Sequence, residues 1–198
     1  MSASGLVDLQ PRIMAFLRQY PDVRLLWLLA NRHVNLVEEG IDLAIRVGDL
    51  PDSSLVAREL RRMQVHFAAS PEYLAHAGVP ERPEQLSEHR CIVDSSTRQP
   101  ARWRYSGAKG ERHVTVQVAH EVNSGEMVAN LAVAGLGVVC LPDFLLQPHL
   151  DSGRLICILQ SFEIAPVPVS LVYPLNRMMS PALRALIDAL LRSELDQG

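Results

Sequence analysis

The chain has no surplus of basic charge. Its 19 Lys and Arg are outnumbered by 22 Asp and Glu, giving a net charge of −3 and a pI of about 6.2. Non-specific affinity for nucleic acid rests largely on phosphate contacts, so the sequence does not read as a free-standing DNA-binding domain. The local cluster Arg58, Arg61, Arg62 reads as a solvated strand face or a partner contact. Cysteine is scarce: Cys91, Cys140 and Cys157 lie far apart inside apolar runs such as Val138-Val139-Cys140-Leu141. Buried free thiols in a reducing compartment are expected. No CxxC or HExxH occurs, and the 7 histidines are scattered without ligand spacing. Neither a metal nor a cofactor is expected. Long hydrophobic runs are missing too. The longest uncharged stretch, Met127 to Pro142, holds 16 residues broken by glycines, an Asn and a Pro, too short to span a bilayer. The start, Met1-Ser2-Ala3-Ser4-Gly5, lacks the basic-then-apolar pattern of a signal peptide. A cytoplasmic protein without a membrane partner is expected.

What is present is a core. Hydrophobic residues make up 48% of the 198 positions and charged ones 21%, which suits one large domain or two lobes of roughly 100 residues each. The apolar stripe Leu6, Leu9, Ile13, Phe16, Leu17, Tyr20 predicts a helix with Pro11 in its first turn and Pro21-Asp22 as its stop. Val23 to Leu29 reads as a strand buried on both faces, as in a parallel sheet. Asn31 is placed to cap a helix ending at Glu39-Gly40, and Leu43 to Val47 is a short strand closed by Gly48. This helix–strand alternation predicts an α/β fold with a parallel sheet.

Further on, Leu55 to Glu59 and Met63 to Ala69 read as extended, and Ser70-Pro71 opens a helix that Gly78 ends. Cys91 to Val93 reads as a strand, Asp94 to Gly110 as polar loop interrupted by Trp103-Arg104-Tyr105, and His113 to Val118 as a half-exposed strand. Asn123-Ser124 caps an apolar helix that Gly135-Leu136-Gly137 ends. Val138 to Leu141, Leu155 to Leu159 and Val167 to Tyr173 are strands, and Ser180-Pro181 opens the last helix. The pattern implies two αβ lobes joined by two crossings, and clefts at such junctions commonly hold ligands.

Asn31 and Ser124 each lie between a strand and a helix, where N-capping and ligand contact are both open readings. Arg46 sits inside an apolar strand; it contacts a ligand or pairs with Asp42 or Asp49. The glycines of Ala134-Gly135-Leu136-Gly137 follow a helix and precede a strand, the reverse of a phosphate loop. No GxSxG elbow surrounds Ser53, Ser54, Ser95, Ser96 or Ser124, and His89 beside Cys91 reads as a loop residue next to a buried thiol. No catalytic residue is assigned, and the chain is not expected to be an enzyme.

Several segments resemble the effector-binding domains of LysR-type transcriptional regulators. Phe16-Leu17-Arg18-Gln19-Tyr20-Pro21-Asp22-Val23-Arg24-Leu25 is similar to the family's first helix-to-strand junction. Val34-Asn35-Leu36-Val37-Glu38-Glu39-Gly40-Ile41-Asp42-Leu43-Ala44-Ile45-Arg46-Val47-Gly48 is similar to its signature. Ala69-Ser70-Pro71-Glu72-Tyr73-Leu74, Ala134-Gly135-Leu136-Gly137-Val138-Val139, Leu141-Pro142-Asp143-Phe144-Leu145, Gly153-Arg154-Leu155 and Tyr173-Pro174 follow in the family's order. The resemblance implies a type 2 periplasmic-binding-protein-like fold of two Rossmann-like lobes with a hinge. Residues 1–68 and 142–198 would form one lobe and 69–141 the other. A small effector, a carboxylate or aromatic acid, would sit between them, lined by Asn31, Arg46, Val47 and Gly48 from one lobe and Asn123 and Ser124 from the other. The hinge would fall at Ala69, Ser70, Leu141 and Pro142.

The same resemblance implies a homodimer, tetrameric in full-length form, with helix Leu6 to Tyr20 against the second subunit. Operator DNA would be bound only through an N-terminal winged helix-turn-helix that this sequence lacks, and the family's opening strand is also missing or reduced to Ser2-Ala3-Ser4. A solute-binding protein of a transport system, or an enzyme on the same fold, are the alternatives.

Overall fold

The computed structural model describes residues 9–28, 34–48, 55–175 and 179–191. Helix α1 (Gln10–Gln19) has its proline in the first turn, where a missing N–H costs little. Leu9, Ile13 and Phe16 are buried, the stripe that the spacing predicts, and the Tyr20 N–H closes the helix on the Phe16 carbonyl at 2.9 Å. The next segment departs from expectation. Residues 23–28 form no strand, and Leu25, Leu26, Trp27 and Leu28 are exposed. A strand buried on both faces needs neighbours, and no described strand lies alongside this one.

The helix expected after Asn31 is a turn over 36–40 among the described residues. Its cap is Asn35, whose side-chain oxygen accepts the Val37 N–H at 3.2 Å; Asn31 lies outside the described residues. Strand β1 (Ala44–Val47) ends at Gly48, whose φ of +91° suits a glycine and whose N–H donates to the Pro168 carbonyl at 2.8 Å. Strand β2 (Leu55–Met63) is continuous for 9 residues and carries Arg58, Arg61 and Arg62. Arg58 and Arg62 are exposed, and Arg62 pairs with Glu59 at 3.1 Å, so this cluster is in part a solvated face.

Residues 63–166 form one compact unit. Strand β3 (Val65–Ala69) runs into helix α2 (Pro71–Ala77), whose first turn is held by the Ser70 hydroxyl accepting the Tyr73 N–H at 3.2 Å. A 3-10 turn (Pro83–Ser87) leads to β4 (Arg90–Asp94). The stretch expected as loop folds instead into a hairpin of β5 (Arg102–Gly107) and β6 (Gly110–Thr115). Trp103, Tyr105 and Val114 alternate inward and are buried, while Arg102, Ser106 and His113 face water. Then come β7 (Gln117–Val122), helix α3 (Gly125–Val133), β8 (Val139–Pro142), helix α4 (Asp143–Asp151) and β9 (Ile156–Ile158).

Strand β3 is central, with β8 and β9 antiparallel on its two sides. Alternation along it feeds two cores. Phe67 and Ala69 pack with Tyr73, Leu86, Trp103 and Val138, whereas Ala68 packs with Ile92, Val128, Leu141 and Leu146. Burying a side chain such as Phe67 or Leu146 contributes about 1.5–3 kcal/mol.

The other unit comprises the described residues of 9–62 and 167–191. Strand β10 (Val167–Pro174) lies between β1 and β2, antiparallel to β1. Helix α5 (Pro181–Leu191) packs on α1; the Arg12 guanidinium donates to the Leu190 carbonyl at 2.9 Å, satisfying an open acceptor of its last turn.

Two expectations are corrected here. The sheets are not mainly parallel: among registered pairs only β4 and β7 run parallel, and a single parallel bridge ties Cys91 of β4 to Val138, just before β8. The unit boundaries also differ, falling at 62/63 and 166/167. Leu141 and Pro142, expected at a crossing, are the end of β8 opposite His66 and Val65. The chain then stays in the same unit, because β9 covers the second edge of β3. Ala69 and Ser70 likewise lie inside this unit, as the end of β3 and the cap of α2.

Candidate functional site

Because β4 and β7 are parallel, their carboxyl ends open on the same edge, at Asp94 and Val122. Helix α3 starts there, three residues after β7. In α/β folds this edge, with strand carboxyl ends beside a helix amino end, is where ligands are received. The edge is built by short-range polar bonds. The Ser95 N–H donates to the Val122 carbonyl at 2.9 Å and ties the two strand ends together. The Ser96 N–H donates to Asp94 Oδ1 at 2.9 Å, and the Thr97 hydroxyl donates to the Asp94 carbonyl at 2.9 Å. Ser124 caps α3 by accepting the Met127 N–H at 3.4 Å.

Gly125 makes this edge tight. A Cβ there would lie 2.5 Å from Leu145 Cδ1 and 3.7 Å from Asp94 Oδ2. The absent side chain lets Leu145 of α4 and the Asp94 carboxyl close over the first turn of α3. Of the residues expected to line a site, Asn123 and Ser124 are therefore together on this edge. Asp94, Ser95, Ser96 and Thr97 join them, although they read from the sequence only as loop. The signal that could have found them is the polar run straight after the apolar Cys91-Ile92-Val93, which marks the carboxyl end of a strand.

In the other unit, Arg46, Val47 and Gly48 occupy the end of β1. The Arg46 guanidinium donates to the Val34 carbonyl at 2.7 Å, so it braces the turn before β1. Asn31 and Asp49 lie outside the described residues. A shallow depression of about 310 Å³ follows one face of α5, lined by Met179, Pro181, Arg184, Ala185 and Asp188, none of them an expected site residue.

A further cluster marks where the chain enters and leaves the 63–166 unit. The Gln64 backbone exchanges hydrogen bonds with Asp143, its N–H donating to the carboxylate at 3.1 Å and its carbonyl accepting the Asp143 N–H at 2.9 Å. The Gln64 amide donates to the Ile164 carbonyl at 2.9 Å, and His66 Nδ1 lies 2.7 Å from a Glu163 carboxylate oxygen. Residues 64 and 66 are thus latched to 163 and 164. Nothing in the local sequence announces this, because the partners are almost a hundred positions apart.

Ser53 and Ser54 lie outside the described residues, while Ser124 and Cys91 make ordinary structural bonds. Burial pushes the Cys91 and Cys140 thiols up to about 12, which suppresses the reactive thiolate. His89 turns to the Tyr73 hydroxyl, 3.1 Å from its Nδ1, and Cys91 Sγ donates to the Leu86 and His89 carbonyls. Among the described residues, no group of three or more His, Cys, Asp or Glu is arranged to hold a metal ion, and no helix is long and apolar enough to cross a membrane.

Comparison with known proteins adds the context. The LysR substrate binding domain profile matches residues 1–194. A transcriptional regulator of the HTH type from Haemophilus influenzae, itself uncharacterized, is 34% identical over 173 residues, covering 87% of this chain and 60% of that protein. The HTH-type transcriptional regulator CrgA of Neisseria meningitidis serogroup B is 33% identical over 183 residues, covering 92% of this chain and 61% of CrgA. The solved CrgA regulatory domain superposes with a TM-score of 0.79 at 31% identity, covering 96% of this chain and 94% of that one. This chain spans about 60% of the length of the full-length relatives. Sequence and fold agree on a type 2 periplasmic-binding-protein-like domain, and the chain belongs to the LysR substrate-binding domain family of transcriptional regulators.

Proposed function

We propose that this chain is the ligand-sensing part of a transcriptional regulator, binding a small organic effector without transforming it. The match of residues 1–194 to the LysR substrate binding domain carries the reading. The carboxyl edge of β4 and β7, with Asp94 to Thr97 and Asn123 to Gly125, supplies one wall of the effector site. The remainder is the interlobe cleft expected from the family resemblance, with Arg46, Val47 and Gly48 on its other side. Organic carboxylates and aromatic acids are the class that resemblance implies. Effector binding shifts the population between arrangements of the lobes and so alters the assembly. The protein acts as a homodimer in the cytoplasm and, in full-length form, as a tetramer. In the full-length protein DNA would be contacted by a helix-turn-helix part, which the names of the relatives indicate.

The test is calorimetry and thermal shift of the 198-residue chain against a panel of small organic acids, amines and aromatics. A ligand present at about 100 times its Kd stabilises the folded state by about 2.7 kcal/mol. A rise in Tm with one member, unchanged chemically after incubation, is expected. Turnover of the ligand, or no response to any class, overturns the reading.

A further inference from the structure

The chain passes between its two units at 62/63 and 166/167, and the segments just inside the 63–166 unit are fastened to each other. Only Gln64 separates β2 from β3, and residues 163–166 join the 3-10 turn Gln160–Phe162 to β10. Residues 163–166 form no strand, so side chains rather than a ladder set their register against the entering chain. The Gln64 amide donates to the Ile164 carbonyl at 2.9 Å and reaches Glu163 Oε2 at 3.5 Å. His66, two residues on along extended backbone, points to the same side and holds the other carboxylate oxygen, its Nδ1 2.7 Å from Oε1. A carboxylate only accepts, so Gln64 and His66 both donate to Glu163.

The His66 and Glu163 side chains are only 20% and 15% exposed, and Ile164 is buried. A carboxylate so largely removed from water depends on its donors. Gln64 is itself anchored, because its N–H donates to Asp143 Oδ2 at 3.1 Å and its carbonyl accepts the Asp143 N–H at 2.9 Å. The entering residue is thus held by the start of α4, and the leaving residues are held by the entering ones. Beyond these bonds the chain is open to water: Arg62, Ala165 and Pro166 are exposed.

We infer that Gln64, His66 and Glu163 are positioning residues of a latch that makes the two crossings a single joint. The entering and leaving segments open together, and bending is left to the bonds outside 64–66 and 163–164. Ala69, Ser70, Leu141 and Pro142, expected as the hinge, have no part in it, since they lie inside the unit. The latch goes beyond the sensing reading and does not depend on it, because it belongs to the chain without effector.

Amide hydrogen exchange at fixed pH, followed by NMR on the 198-residue chain without ligand, tests it by reading each substitution on the opposite segment. Glu163→Ala should speed exchange of the Gln64 N–H. Gln64→Ala should speed exchange at Phe162 and Glu163, whose N–H groups donate to the Leu159 and Gln160 carbonyls. About tenfold is expected in each case, the size of one net hydrogen bond. The double variant should be no faster than either single one, because the joint is already open. Glu163→Gln, which keeps an acceptor for both donors, should restore most of the wild-type rate. Gln64→Glu, a milder change that sets like charge against Glu163, should open the same amides as Gln64→Ala. The Ile92 and Val128 amides, bonded to the Val138 and Ser124 carbonyls, should keep their protection throughout. Acceleration confined to the substituted segment, effects that multiply in the double variant, or equal acceleration at Ile92 and Val128 would each overturn the latch.

Discussion

His89 and the buried thiols show how burial, rather than residue type, sets side-chain chemistry in this protein. Desolvation disfavours the imidazolium and holds His89 below its ordinary 6.5, against an opposing pull from Glu88. The folded chain therefore binds its proton less readily than the unfolded one. Stability is complete above 6.5 and declines as pH falls from there toward the folded value. His149, lowered by desolvation and then by Arg154, acts in the same direction. Tm should fall between about pH 8 and about pH 5. His89→Gln, which keeps an acceptor for the Tyr73 hydroxyl, should flatten that slope; an unchanged slope would remove His89 from the account. With Cys91 and Cys140 pushed up to about 12 and Cys157 also raised by burial, a thiol reagent should find at most one reactive cysteine in the folded chain. All three should react in denaturant. Rapid labelling of Cys91 in the native state would contradict its burial.

At the level of elements, close backbone approach decides more than propensity does. Gly137 precedes the bridge between β4 and β8, where the Val138 N–H donates to the Arg90 carbonyl and the Ile92 N–H to the Val138 carbonyl, both at 2.9 Å. A Cβ at 137 would stand 2.5 Å from the Arg90 carbonyl oxygen. That oxygen belongs to a paired strand and cannot swing away as a side chain can. Gly137→Ala should cost about 3 kcal/mol, measured by denaturant unfolding at unchanged m-value. At Gly125 the obstacle is the end of the Leu145 side chain, so Gly125→Ala should cost less; a larger loss than at Gly137 would invert the packing argument. From the sequence Gly135 and Gly137 read as the end of a helix and a tight turn. Which strand passes beside them was not legible, because Arg90 lies almost fifty residues away.

For the whole molecule, the apolar groups left on the surface are the informative ones. Met14 of α1 is 55% exposed, and Leu26 and Leu28 after it are 78% and 62% exposed, within the same unit. Scattered exposed apolar residues are ordinary, but contiguous ones mark association surfaces. In the proposed homodimer α1 would lie against the second subunit and cover Met14, and the exposed Leu26 and Leu28 of the following segment are the next apolar residues to test. Sedimentation of the wild-type chain should show a dimer. Met14→Glu with Leu26→Glu should raise its Kd by about tenfold or more, corresponding to about 1.4 kcal/mol, without lowering monomer Tm. A wild-type chain that stays monomeric, or a variant that dimerises equally well, would exclude this face.

The sequence by itself determined most local structure and the family. Periodicity placed α1, α3 and α5; Ser70, Ser124 and Ser180 cap the helices expected of them; and the motif order implied the fold that the CrgA domain shares. These signals are local, because a cap or an amphipathic stripe is specified within a few residues. Tertiary structure decided what depends on distant partners. It paired β3 antiparallel with both β8 and β9, moved the return crossing to 166/167, and made a hairpin of a polar stretch by burying Trp103 and Tyr105. It also set Asp94 over the amino end of α3. Strand neighbours are chosen by which apolar faces meet after collapse, and no window along the chain contains both sides of that choice.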